Sequence, residues 1–272
     1  MYLAEHEAYV IQNACTGQRM PGNSENRICG SDETLFVPYL QPLYSVAQDR
    51  IYGAEVLARK LGPCGKVHMP DEFIAAMEAE RRISEVDYRM FEHACSILNL
   101  YETIRPDFRL SCNFSRLTLS DENFIRRIDE TLQQTGADSR KLIFEITESS
   151  HGVCIETIEK RLIDIKSLGI AIALDDMGVE ASNLGMLHLP QIDFAKIDRS
   201  LVFKAECDQR KQTVIEKLIE MCHRLGICCI AEGIETRQQA DLLAGFECDS
   251  LQGYYIGKPL SVNEFFERSI AR

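Results

Sequence analysis

The chain has 272 residues, with 42 acidic against 30 basic for a net charge of -12, 45% hydrophobic side chains and 11 cysteines. That length can bury one large core and suits a single (β/α)8 barrel, while the acidic balance argues against non-specific binding to a nucleic acid polymer or an anionic membrane. The start "MYLAEHEAYVIQNAC" is neither basic nor apolar enough for a signal peptide, and no run of about 18 apolar residues occurs, so the chain is expected to be cytoplasmic and free of membrane spans.

Residues 1–33 contain "TGQRMPGNSENRICGSDET", rich in Gly, Ser, Asn and charge, and read as an irregular N-terminal extension. Residues 34–272 read as one domain in which short apolar runs alternate with amphipathic stretches. The strand candidates are "FVPYLQPLYSV", "IYGAEVLAR", "FRLSCNFS", "KLIFEITES", "GIAIALDD", "DFAKIDRS", "GICCIAEG" and "SLQGYYIG". Helices are expected over 70–102, 121–135, 154–168, 208–225, 236–245 and 261–270. Strand, helix, strand repeated this often implies a parallel sheet under helices, closed into a modified TIM-like barrel. Only a few residues around "QDR" separate the first two strands, so they should form a hairpin and leave one antiparallel strand, because a parallel crossover needs a dozen residues or more. The cysteines sit mostly inside apolar segments, without a CxxC pair, and read as reduced, buried thiols.

Polar residues mark the carboxyl ends of the strands: Glu55, Asn113, Glu145, the adjacent Asp175 and Asp176, Lys196, Glu232 and Gln252. In a βα-barrel those ends meet on one face, where catalytic groups collect. Carboxylates and an amide oxygen converging there would form an all-oxygen cage for a hard cation such as Mg2+ or Mn2+. Taken singly, each has a plainer reading. Asp after a strand often caps a helix, Asn113 could form an Asx-turn, Lys196 could snorkel, and Glu232 and Glu235 could cap the helix starting near Thr236. That reading must be repeated at seven strand ends, which makes it the less economical one.

These segments resemble the EAL domain family, the bacterial phosphodiesterase and receptor module for cyclic di-GMP. "YGAEVLAR" is similar to the signature segment, with Glu55 and Arg59 kept and Val56 in place of Ala. "NFS", "FEITES", "LDD", "KIDRSLV", "AEGIET" and "LQGYYIGKPL" follow in the family's order. The resemblance implies hydrolysis of one phosphodiester bond of cyclic di-GMP to linear pGpG with two Mg2+ or Mn2+ ions, Ca2+ being inhibitory. It implies that Glu55, Asn113, Glu145 and Asp175 hold one metal, and that Asp175 with Asp176 and Glu232 holds the second. Lys196 would orient the attacking water, Glu232 handle its proton and Gln252 help position water and ligands. Gln41 and Arg59 would contact the nucleotide, and Glu148 and Glu235 would support the site from behind.

The segment after Asp176 departs from the family, which usually reads F-G-T-G-Y-S-S-L where this chain has "MGVEASNL" from Met177 to Leu184. Val179, Glu180 and Ala181 replace a threonine, a hinge glycine and an aromatic anchor. By resemblance this segment supports the second metal and forms a homodimer interface, so slow turnover is expected. A metal-dependent phosphodiesterase ranks first, a cyclic di-GMP receptor without turnover second, and a protein-interaction module that has left the nucleotide behind last.

Overall fold

The computed structural model describes residues 35–62, 66–102, 104–146, 155–178 and 183–270. The expected N-terminal extension, Glu148 and positions 179–182 lie outside them. The strands are β1 (Leu35–Ser45), β2 (Arg50–Leu61), β3 (Val67–His68), β4 (Arg109–Phe114), β5 (Leu142–Ile146), β6 (Ala171–Met177), β7 (Phe194–Ile197), β8 (Cys228–Ala231), β9 (Ser250–Leu251) and β10 (Leu260–Ser261). Eight of them close a ring in the order β1-β9-β8-β7-β6-β5-β4-β2 and back to β1, with β3 and β10 as appendages. β1 is antiparallel to both of its ring neighbours, and every other ring pairing is parallel. The hairpin start, the single antiparallel strand and the barrel closure agree with expectation.

Among the described residues, six longer helices cover the ring: α1 (Ile83–Glu102), α2 (Phe124–Thr135), α3 (Ile155–Ser167), α4 (Gln209–Arg224), α5 (Arg237–Gly245) and α6 (Val262–Ile270). Residues two apart on a strand share a face, and burial follows that rule. Phe144, Ile172, Ala195, Cys229 and Ala231 join the helix-packed core. Ile143, Ala173 and Ile230, one position away, are fully buried outside that core and fill the barrel interior. An aromatic cluster docks α6 onto α1: the Tyr101 ring stacks on Phe108 with centroids 4.5 Å apart and meets Phe266. No helix of the described residues is long and apolar enough to cross a membrane.

Two expectations need correction. The helix expected over 70–102 is three pieces, a 3-10 turn Pro70–Glu72, a short helix Ile74–Ala79 and α1. The break falls in the charged run around Arg81, which takes a left-handed φ of 57° while Arg82 N–H donates back to the Met77 carbonyl, a helix-ending arrangement. The strand expected over "SLQGYYIG" ends after Leu251. At Gly253 the chain turns against the 234 backbone, and an added Cβ would lie 2.2 Å from Ile234 N and O.

Candidate functional site

The carboxyl ends of the parallel strands bring the sequence-predicted residues to one rim. Asn113 on β4 stands opposite Glu145 on β5, and Gln41 on β1 stands opposite Glu55 on β2. Glu145, Asp175, Lys196, Glu232 and Gln252 each follow, by two positions, a residue that faces the barrel interior or lies beside it, so the strand period aims them at the same space.

The adjacent aspartates are the exception to that period, since a regular strand would send neighbours to opposite faces. The ladder between β6 and β7 shifts register between Leu174 and Met177, and Asp176 sits at φ 56°. This bulge turns both carboxylates the same way. Oxygens of Asp175, Asp176 and Glu232 lie within 4.8 Å of one another and could hold a divalent cation. A non-glycine residue in the left-handed region stores strain of order 1–3 kcal/mol, and here it sets the Asp176 carboxylate beside those of Asp175 and Glu232.

Lys196 is the hub. It is 1% exposed, and its Nζ lies 2.5 Å from Glu145, 2.7 Å from Glu232, 3.4 Å from Asp175 and 3.5 Å from Glu55. Burial alone would lower its pKa, but the four carboxylates together hold it well above its usual value. Glu55 accepts from Gln252 Nε2 at 2.6 Å and from Asn113 Nδ2 at 2.7 Å. Burial pushes Glu55 up, yet Lys196 and these amides outweigh it and keep the carboxyl below its ordinary range. Glu145 goes the other way, because burial and repulsion from Glu55 push it well above. Burial likewise lifts Glu232 to about 8, against the pull of Lys196 and with the repulsion of Asp175.

The charges do not balance. Five ionised carboxylates against one ammonium would leave about -4 in a low-dielectric rim, which two divalent cations or a set of protons would offset. Glu145 Oε1 and Gln252 Oε1 are buried without a hydrogen-bond partner, as oxygen ligands awaiting a cation would be. The donor set therefore fits hard divalent ions.

At the outer rim, Gln41 Nε2 donates to the Gly257 carbonyl at 3.4 Å, and the Arg59 guanidinium lies 5.1 Å from the Tyr39 ring centroid. Glu235 is exposed, and its backbone N–H donates to Gln239 Oε1; it is not among the carboxylates paired with Lys196. The cap of α5 is Thr236, which accepts from Gln239 N–H, so neither Glu232 nor Glu235 caps that helix.

Sequence reasoning missed Asp87. This buried carboxylate on α1 accepts from Ser115 N–H, Ser115 Oγ and Thr118 Oγ1 at 3.0, 3.0 and 2.6 Å, pinning the turn two residues beyond Asn113. Its only signal was a charge on the apolar face made by Ile83, Val86 and Met90.

The family model described as "EAL domain" matches residues 30–259. The chain is similar to signaling protein YkoW of Bacillus subtilis, 30% identical over 230 residues, 85% of this chain and 29% of YkoW. It is also similar to cyclic di-GMP phosphodiesterase PdeL of Escherichia coli, 28% identical over 239 residues, 87% of this chain and 66% of PdeL. It thus spans less than two thirds of either relative's length. The solved EAL enzyme Bd1971, in its cAMP- and cyclic-di-GMP-bound form, superimposes with a TM-score of 0.78 at 25% identity, over 97% of this chain and 68% of that one.

Proposed function

The chain belongs to the EAL domain family, and from that premise we propose that it hydrolyses one phosphodiester bond of cyclic di-GMP to give linear pGpG, using two divalent cations. PdeL is named a cyclic di-GMP phosphodiesterase, and Bd1971 is an EAL enzyme with cyclic di-GMP bound, which supports the substrate. The observation that carries the reading is the cluster of Glu55, Glu145, Asp175, Asp176 and Glu232 around the buried Lys196.

In this reading Glu55, Asn113, Glu145 and Asp175 hold one Mg2+ or Mn2+, and Asp175, Asp176 and Glu232 hold the other. When bound, the cations supply Lewis acidity toward the phosphoryl oxygens and make water acidic enough to attack near neutral pH. Lys196 donates to Glu145 and Glu232 and orients the attacking water beside them. Glu232, whose carboxylate lies 2.7 Å from Lys196 Nζ, would take the proton of that water. The Gln252 and Asn113 amides fix the Glu55 carboxylate so that its oxygens face the cations. Arg59 meets a ligand phosphate through its planar fork, and Gln41 contacts the nucleotide next to Glu55. Glu148 would support the segment after Asp176, through which two copies would pair, and Glu235 would support the site from behind.

The test is turnover with Mg2+, Mn2+, Ca2+ or excess chelator. Mg2+ and Mn2+ should support it, and Ca2+ should suppress it because its longer, looser oxygen coordination misplaces the reacting groups. Strong hydrolysis in chelator would end the two-cation reading. A second reading, binding without turnover, rests on "MGVEASNL". It would hold if the wild type bound tightly yet made no product, and gained none when Thr, Gly and Tyr replaced Val179, Glu180 and Ala181.

A further inference from the structure

At the other end of β8, on its helix-facing side, stands a group of different chemistry. His223 lies in the last turn of α4, Cys229 is the second residue of β8 and Asp249 immediately precedes β9. One ligand atom from each, imidazole nitrogen, thiol sulfur and carboxylate oxygen, lies within 4.8 Å of the other two. Asp249 Oδ2 accepts from the Cys229 N–H at 2.7 Å and lies 2.9 Å from His223 Nε2, so the carboxylate is already held between the other two residues. Cys229 is fully buried, whereas His223 and Asp249 are each about a third exposed. The exposed side opens on a groove of roughly 500 Å³ whose lining includes Glu216, Glu220, Arg224, Phe246, Glu247 and His223 itself.

We propose that His223, Cys229 and Asp249 form a separate cation site at the foot of β8 that takes a thiophilic divalent ion of the Zn2+ type. Tetrahedral ligation with bonds of about 2.0–2.3 Å puts ligand atoms roughly 3.3–3.6 Å apart. The three atoms already lie within 4.8 Å of one another, with His223 Nε2 and Asp249 Oδ2 at 2.9 Å. The donor set separates this site from the rim: a thiolate and an imidazole favour Zn2+, whereas the all-oxygen rim suits Mg2+ or Mn2+. The Cys229 thiol is hydrogen-bonded to that of Cys222 on α4, a contact that with burial raises the Cys229 thiol, so an ion must displace that proton as it binds. The groove, which His223 lines, supplies an entry path. Glu232 directly follows β8, three residues beyond Cys229 and roughly 10 Å away at the strand rise, so an ion here would tie the end of α4 and the residue before β9 to the strand that leads to Glu232.

The test is a Co2+ titration of the reduced, metal-stripped full chain, with Zn2+ as competitor. A thiolate-to-cobalt charge-transfer band should appear at about one ion per chain and vanish on adding Zn2+, a signature that oxygen ligands cannot give. The band should be lost in Cys229→Ser. His223→Ala, a change at a part-exposed side chain, should weaken the affinity at least tenfold, roughly the least that losing even an outer-shell partner costs. Asp175→Asn should keep the band. No band in the wild type, a band unchanged in both His223→Ala and Cys229→Ser, or one abolished by Asp175→Asn would overturn the proposal.

Discussion

Replacing Lys196 by Met removes the one ammonium from the carboxylate cluster while keeping most of the side chain's volume. The ammonium is buried and within 3.5 Å of Glu55, Glu145, Asp175 and Glu232, so its loss leaves several carboxylates facing one another in a dry rim. Breaking a buried pair from one side costs about 3–5 kcal/mol. At roughly 2–4 °C per kcal/mol for a domain of this size, the metal-free variant should melt about 6–20 °C below the wild type. Protons can stand in for the missing cation, because Glu145 is held well above its usual range and Glu232 near 8. The deficit should therefore shrink as the pH falls toward about 6 and grow toward about 9. Scanning calorimetry in excess chelator across that range is the assay. A drop of less than about 2 °C at the alkaline end, or a deficit independent of pH, would refute the view of Lys196 as the neutralising centre.

Asp175→Asn and Glu55→Ala should each lower hydrolysis more than tenfold, over ~1.4 kcal/mol of barrier, with circular dichroism unchanged; retention of more than a tenth of the rate by Asp175→Asn would remove it from the metal set. Glu232 in the metal-free chain keeps its proton past its unfolded pKa of 4.5, so the stability it carries is complete below that value and is lost as pH rises through about 8. Chelated protein should accordingly melt lower at about pH 9 than at about pH 7, and Mn2+ should flatten that slope. Asp87→Ala strips three donors of their acceptor and should cost about 3 kcal/mol in urea unfolding, with the metal requirement for turnover rising as Asn113 loosens; an unchanged midpoint would count against the positioning role. Gly253→Ala would force a Cβ to 2.2 Å from the Ile234 backbone, so a loss of about 1–3 kcal/mol is expected, with turnover falling as Gln252 shifts; neither change would show that the loop yields freely.

The barrel was legible because its strands are short, apolar and regularly spaced, and because the "QDR" turn is too short for a parallel crossover. The rim residues could be named from strand-end positions, since strand ends of a βα-barrel converge on one face. What the sequence hid was geometry that breaks local periodicity. Strand alternation alone would have sent Asp175 and Asp176 to opposite faces, and only the register shift with Asp176 at φ 56° reunites them. The interruption at Arg81 lies in a stretch whose charged residues suit a helix, so no composition signal marked it. The partners of Asp87, Ser115 and Thr118, lie in the short helix and its cap just after β4, far along the chain, and contacts of that range leave no local pattern. Cys229 looked like one more buried thiol until the packing of α4 and the start of β9 set His223 and Asp249 beside it.

Incubating the purified chain with cyclic di-GMP and Mn2+, and resolving the nucleotides by chromatography over time, tests the central claim most directly. The account predicts linear pGpG accumulating with Mn2+ and none when chelator replaces the metal. Tight nucleotide binding with the cyclic form recovered unchanged would contradict it.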